Sequence, residues 1–349
     1  MATGVDVVVV GGGQAGLAAG YYLRRAGHHF VILDDQPAPG GAWPHTWPSL
    51  RLFSPAQYAS LPGWPMPPWK NGFPPASHVV DYLTAYEARY DLPIERPVRV
   101  SAIRRDGAEL RVEAETRTWR ARRVISATGT WQQPFWPVYP GMRTFKGRQL
   151  HTVDYRTPAE FAGADVVVVG GGNSAAQLVA EISPVASSTM WATLRPPRFL
   201  PDGVDGRALV EAASRRAIAL AAGKPDPGGV AALGDIVMVP EVLAARDRGD
   251  LTPVSMFDRL TPDGVAWGER VHHADVVLWA TGFRPALSHL RPLRLRGQDG
   301  TVPTAGTRAL AEPRLHLLGY GDWTGPGSAT ILGVGRTAKS AVAELDLDD

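Results

Sequence analysis

The apolar positions of this 349-residue chain are dominated by two runs of four valines, each preceded by an aspartate and followed by three glycines. Asp6 to Gly16 reads DVVVVGGGQAG; Asp165 to Ala175, 159 residues further on, reads DVVVVGGGNSA. Neither run alternates with polar residues, which suits a strand covered on both faces, as in a parallel sheet. Val7 to Val10 form the first strand and Leu17 to Ala26 the helix after its turn. Each unit closes on an apolar strand ending in Ala-Thr-Gly: VISATG reaches Gly129, and VLWATG reaches Gly282. A glycine turn between a buried strand and a helix start lets backbone approach a pyrophosphate, where free N–H groups and the helix dipole attract anions. Two copies in register predict an α/β protein with two Rossmann-like dinucleotide-binding domains.

In the first unit Gly11, Gly13 and Gly16 satisfy the glycine spacing, with Gln14 and Ala15 at the helix start and Ala127, Thr128 and Gly129 closing the site. The strand Phe30 to Leu33 ends in Asp34-Asp35. That is within the distance of about 20 residues at which an acid meets an adenosine ribose; a turn or cap aspartate is the other reading. Pro39-Gly40-Gly41-Ala42-Trp43 reads as backbone passing close to a flavin pyrophosphate, which places Gly41 and Trp43 in the site. Near the C-terminus a strand ends in Gly321-Asp322, followed by SATILGVGRTAK with a helix expected from about Ser328. Asp322 is placed to hold a ribityl chain and Thr330 lies at the helix start facing the flavin pyrimidine; a plain turn and cap is the alternative. Leu52 and Val100 complete the expected FAD contacts. Strands over Val98–Ile103 and Leu110–Glu115 should pair as an antiparallel ribbon, giving a three-layer β/β/α FAD domain.

The second unit keeps Gly170 and Gly172, replaces the third glycine by Ala175, and starts its helix with Asn173 and Ser174; Ala280, Thr281 and Gly282 close it. Its second strand, Ser188 to Thr193, runs into Leu194-Arg195 with no carboxylate. An acid there favours NAD, whereas an arginine accommodates a 2′-phosphate. Arg195, helped by Arg198, points to NADPH, with NADH still able to bind. The expected division is 1–157 plus 285–349 for FAD and 158–284 for the inserted nicotinamide domain. A helical excursion at about 205–250 carries helices over 205–222 and 241–248, joined by the KPDPGG loop.

Charge and composition narrow the field. With 36 basic and 34 acidic residues the net charge is +2, which argues against a nucleic-acid partner. No stretch approaches the roughly 18–20 apolar residues that cross a membrane. Arg24-Arg25 follow the first apolar stretch instead of preceding it, unlike a signal peptide, so a cytoplasmic protein is expected. The chain has no cysteine. Dithiol electron relays and thiolate metal sites are therefore excluded, and no metal is expected.

Between the two glycine turns, Phe145 to Tyr155 reads FKGRQLHTVDY. This F-x-G-x-x-x-H-x-x-x-Y string, joined to the paired turns, resembles the fingerprint of class B flavoprotein monooxygenases, the group of flavin-containing monooxygenases and Baeyer–Villiger enzymes. HTWPSLRLFSPAQYASLPGWPMP (His45 to Pro67) and GDIVMVP (Gly234 to Pro240) are similar to a compact bacterial subgroup that includes oxidoreductases of arsenic-resistance operons. The resemblance implies that NADPH reduces FAD and that O₂ then adds at flavin C4a as a hydroperoxide. One oxygen atom passes from it to a soft nucleophile: a thioether, an amine or a trivalent arsenic species. It implies that His151 holds the interdomain linker, and it leaves a homodimer open. Trp43, Arg51, Phe53 and Asn173 are its candidate catalytic residues. Phe53 departs from the pattern, since eukaryotic-type flavin-containing monooxygenases carry asparagine in that place of a Leu-Arg-x-Asn string. It removes a polar group near the flavin, unless it is ordinary core. A reductase passing electrons to a quinone, a redox protein or O₂ stays open as the alternative. The irregular segment 43–75, with Trp43, Trp47, Trp64 and Trp69, is expected to wall the flavin.

Overall fold

The computed structural model describes residues 3–204, 206–225, 236–345 and 347. The chain opens with β1 (Thr3–Val10), α1 (Gln14–Ala26) and β2 (Phe30–Leu33), then crosses the irregular segment to α2 (Ala76–Arg89). It continues through β3 (Ile94–Glu95), β4 (Val100–Asp106), β5 (Glu109–Ala114) and β6 (Thr118–Ser126). A second unit holds β7 (Arg148–His151), β8 (Asp165–Val169), α3 (Asn173–Ile182), β9 (Ser188–Thr193), α4 (Gly206–Ala221) and α5 (Pro240–Asp247). It ends with β10 (Pro253–Ser255), the small sheet β11 (Arg259–Thr261), β12 (Gly264–Trp267) and β13 (Arg270–His273), and β14 (Val276–Trp279). The chain then returns to the first unit with β15 (Thr304–Ala305), β16 (Arg308–Ala309), β17 (Leu315–Leu317) and α6 (Ile331–Ala343).

The first sheet runs β15-β16-β17-β6-β1-β2-β3, with β1 parallel to β2 and β6. The valine run of β1 shows why its sequence does not alternate. Val7 and Val9 pack into a core with Leu17, Tyr82 and Val334 of α1, α2 and α6, while Val8 and Val10 pack into another with Ile103, Leu110 and Trp119. Both faces of the strand are therefore interior, and each buried valine contributes about 1.5–3 kcal/mol. The antiparallel β4–β5 ribbon joins β6 through β5, so a β-layer, the parallel sheet and a helical layer stack as expected. The second sheet, β10-β9-β8-β14-β7, is parallel throughout. Its valines divide in the same way, Val166 and Val168 toward α3, Val167 and Val169 toward Phe257 and Trp279. Because β7 pairs with β14, this sheet includes a strand that precedes residue 158.

Element ends shift where side chains compete for backbone. The last helix starts at Ile331, three residues after the expected Ser328, because Ser328 Oγ accepts Gly319 N–H and Thr330 Oγ1 caps Gly333 N–H at 2.9 Å. The excursion helices appear as α4 and α5; most of the KPDPGG loop, from residue 226 on, lies outside the described residues. Among the described residues no helix is long and apolar enough to cross a membrane.

Candidate active site

Gly11 has φ +108°, a conformation that side chains rarely adopt, and a Cβ there would lie 2.5 Å from Ala127 O. The first glycine turn thus sits directly against the closing Ala-Thr-Gly. A Cβ on Gly16 would stand 1.9 Å from Gly11 O, so α1 is pressed onto the turn. Gly13 begins α1 with no side-chain cap, leaving the first N–H groups to an outside anion. Gly41 crosses this cradle so closely that its Cβ would meet Gly13 Cα at 2.7 Å. Gln14 ties the three parts together: its Oε1 accepts Trp43 Nε1–H at 3.1 Å and its Nε2 donates to Ala329 O at 2.9 Å. Ala15 is buried beside it.

Asp34 lies beneath Gly12, buried, and accepts Arg96 Nε–H at 2.7 Å. Arg96 also holds both Glu87 oxygens, at 3.0 and 2.9 Å. Asp35 accepts Gln36 Nε2–H at 2.6 Å and is bonded by Gln132. Val98 N–H reaches Asp34 O at 2.7 Å, and Val100, half-buried, opens β4. On the far side Tyr320 OH bonds Ser126 Oγ and Thr128 Oγ1, both at 2.7 Å, and accepts Thr128 N–H at 3.1 Å. It pins the end of β6 to the segment after β17, a strand that stops at Leu317 rather than at the expected Gly321-Asp322. Gly129 O accepts Ala286 N–H at 2.9 Å. Sequence reasoning missed Arg96 and Tyr320; the tyrosine was marked only by lying between Gly319 and Gly321.

Ser126 Oγ also contacts His289 Nε2 at 2.9 Å. Burial, and then the nearby Arg296 charge, push the His289 pKa down from 6.5 to about 4. The folded state therefore favours the neutral ring. As pH falls below 6.5 the unfolded chain takes the proton first, and stability is lost down to about pH 4. The loss should reach about 3 kcal/mol. Thermal denaturation between pH 7 and 4 should show it, and His289→Gln should flatten that slope; an identical slope in the variant would refute the assignment.

The second turn repeats the first. Gly170 has φ +143°, and its Cβ would lie 2.3 Å from Ala280 O. Gly172 begins α3 without a side-chain cap and faces open space. Ala175 is fully buried against the turn, and Ser174 faces the cleft. Asn173 Oδ1 accepts Val237 N–H at 2.8 Å, tying α3 to the segment before α5; Asn173 is not among the cleft-lining residues. Arg195 is exposed just beyond β9, its carbonyl 4.0 Å from where a Gly171 Cβ would be. Thr281 Oγ1 donates to Phe135 O. His151 Nδ1 accepts Val153 N–H at 3.3 Å, so its Nε2 carries the proton donated to Gly282 O at 3.1 Å. Fully buried, with its pKa lowered by desolvation, His151 holds the linker to the second closing turn, as the fingerprint implied.

Between the turns lies a cleft of about 620 Å³. Trp43, Arg51, Leu52, Phe53 and Thr330 line it, together with Trp47, Trp131 and Phe283. Its wall is held by short pairing, Leu52 N–H to Pro74 O at 2.8 Å and Ala76 N–H to Leu50 O at 2.9 Å. Asp322 accepts Gly327 N–H at 3.3 Å and Arg216 Nη1–H at 2.9 Å, the latter from α4. Two uncapped helix starts, each following a glycine turn and joined by an aromatic cleft, fit two dinucleotides. Sequence reasoning missed α4's arginine and the cleft residues Tyr58, Gln177, Ser214 and Arg336, because no motif marks them.

The pyridine nucleotide-disulphide oxidoreductase family matches residues 8–193. A flavin-containing monooxygenase of Stenotrophomonas maltophilia superposes with a TM-score of 0.90 at 50% identity, covering 98% of each chain. The uncharacterized oxidoreductase CzcO of Bacillus subtilis is 26% identical over 350 residues, 98% of this chain and 99% of that protein. A Baeyer-Villiger monooxygenase of Streptomyces coelicolor is 34% identical over 188 residues, 52% of this chain and 36% of that one. Lacking cysteine, the chain cannot share the dithiol chemistry in the family's name. It belongs to the pyridine nucleotide-disulphide oxidoreductase family, in the class B flavin monooxygenase group, and is an oxidoreductase that uses FAD and a nicotinamide coenzyme.

Proposed function

We propose that the enzyme inserts one oxygen atom from O₂ into a soft nucleophilic heteroatom, a thioether, an amine or an arsenic centre, at the cost of one NADPH. One observation carries this reading: the cleft between the two cradles is walled by aromatic rings and, among the described residues, holds no histidine, cysteine or carboxylate. Such a site offers no imidazole, thiol or carboxylate to act as catalyst among the described residues. It offers position and dryness, which suit a substrate that is itself the nucleophile.

When bound, the flavin and NADPH supply the hydride transfer and oxygen activation that no side chain here can supply. The geometry supports the following roles for the chain. The N–H groups after Gly13, with Gly11, Gly16 and Gly41, take the FAD pyrophosphate; Asp34, Asp35 and Val100 lie toward its adenosine. Ala127, Thr128 and Gly129 brace that cradle from beneath. Gln14 fixes Trp43 against it, Leu52 and Phe53 cover the ring, and Asp322 and Thr330 meet the ribityl and pyrimidine ends. Gly170, Gly172, Ser174 and Ala175 receive the NADPH pyrophosphate, and Arg195 meets its 2′-phosphate. Asn173 shapes the coenzyme edge through Val237, while Ala280, Thr281 and Gly282 close it. The flavin unit is 1–157 with 285–349 and the nicotinamide unit 158–284, the β7 strand reaching across to the second sheet. Phe53 and the tryptophans exclude water, which would release hydrogen peroxide instead of product.

The test is to reduce the flavoprotein with NADPH without oxygen, then admit O₂ with and without an aryl methyl sulfide. Sulfoxide forming in step with NADPH use is the expected result. Stoichiometric peroxide with no oxygenated product would favour the reductase reading, for which Phe53 in the asparagine place is the supporting observation.

A further inference from the structure

The charged residues lining the cleft are Arg51 and Arg336, and no carboxylate lines it among the described residues. Arg51 Nη1 donates to Phe73 O at 2.9 Å, and Arg336 Nη2 donates to Ser214 Oγ at 3.0 Å. Neither forms an ion pair with an acid among the described residues, whereas Arg216 of the neighbouring α4 is held by Asp322 at 2.9 Å. Arg336 lies one turn after Leu332 on α6, and both line the cleft, on the face that begins at Thr330. Ser214 belongs to α4, so a contact between two units of the fold positions the guanidinium at the cleft rim. A guanidinium presents several N–H donors in a planar fork, and one bond to a serine leaves most of them for a ligand.

We propose that the cleft selects substrates that carry a carboxylate on an apolar body, with Arg336 as the anchor, Ser214 as its positioning residue and Arg51 as the second cation. This rests on the heteroatom reading above for the reaction but not for the binding. The aromatic wall takes the body, the carboxylate faces the fork, and the heteroatom is left toward the flavin. For a thioether acid the balance is R–S–R′ + O₂ + NADPH + H⁺ → R–S(O)–R′ + NADP⁺ + H₂O. Sulfur loses two electrons, NADPH supplies two, one oxygen atom joins sulfur, and the other leaves as water. The carboxylate takes no part in the step. A charge-assisted bond at this exposed rim should favour an acid over its neutral ester by roughly 10-fold.

The test uses the FAD-loaded enzyme with an aryl methyl sulfide bearing a carboxylate, its methyl ester, and the unreactive sulfones of both. Wild type should prefer the acid in kcat/KM by about 10-fold, with the acid sulfone quenching tryptophan fluorescence at correspondingly lower concentration. Arg336→Gln should bring both ratios near unity, Arg336→Lys should restore part of them, and Ser214→Ala should lower them. No acid preference in wild type would overturn the proposal, as would equal losses for acid and ester. A raised KM for NADPH with the acid-to-ester ratio intact would assign the arginine to the coenzyme and also overturn it. If neither sulfide is oxidised yet the acid sulfone keeps its Arg336-dependent advantage, charge selection stands and only the oxygenation reading falls.

Discussion

Gly11→Ala is expected to yield a protein that folds poorly and no longer retains FAD. At φ +108° an alanine is strained by roughly 1–3 kcal/mol. Its methyl carbon would also press on Ala127 O at 2.5 Å, a backbone atom that cannot rotate away. Relieving that overlap costs about 1–3 kcal/mol more and must separate the glycine turn from the closing Ala-Thr-Gly, the two walls of the cradle. FAD affinity should fall by at least about 100-fold, following the rule that 1.4 kcal/mol is tenfold. The visible flavin band relative to protein absorbance, and a titration of apoprotein with FAD, would measure it. Gly172→Ala is the contrast, because a Cβ there meets nothing within 4 Å in the fold. That variant should stay yellow while its KM for NADPH rises. A fully yellow Gly11→Ala protein with native FAD affinity would remove the first cradle from the account.

The second large effect is expected at Arg195. It stands exposed after β9, beside the second glycine turn, and β2 of the first unit is followed by two acids where β9 is followed by Leu194 and this arginine. A phosphate held by a guanidinium is a charge-assisted pair worth about 1.5–3 kcal/mol. Arg195→Ala should therefore lower the NADPH-to-NADH ratio of kcat/KM by roughly 10- to 100-fold, mostly through the KM for NADPH. Steady-state kinetics with both coenzymes measures it, and raising the salt should shrink the wild-type preference because the pair is exposed. An unchanged ratio in the variant would show that the 2′-phosphate lies elsewhere.

Both effects were legible along the chain because they depend on local geometry. Glycines where a strand turns into a helix leave one backbone path, and a strand end commits the next residue to the ribose position. The His151 fingerprint was equally legible, since its bonds join the linker to Gly282, the end of a motif already recognised. The paired acids were legible only as a position. That Asp34 is buried and clasped by Arg96, which also holds Glu87, depends on α2 and the 96–98 turn arriving from distant sequence.

The sequence by itself determined the two strand–turn–helix cradles, their order and the absence of thiol chemistry. For the cradles a few adjacent residues restrict the backbone. The tertiary structure alone decided how the valines divide between opposite cores, that Tyr320 clamps Thr128 to the segment after β17, and that Asn173 is turned to Val237. It alone brought Ser214 of α4 to Arg336 of α6 and left the cleft with two cations and no acid among the described residues. The reason is physical: the three side-chain bonds join residues 64 to 192 positions apart, and only packing of apolar faces fixes which segments meet.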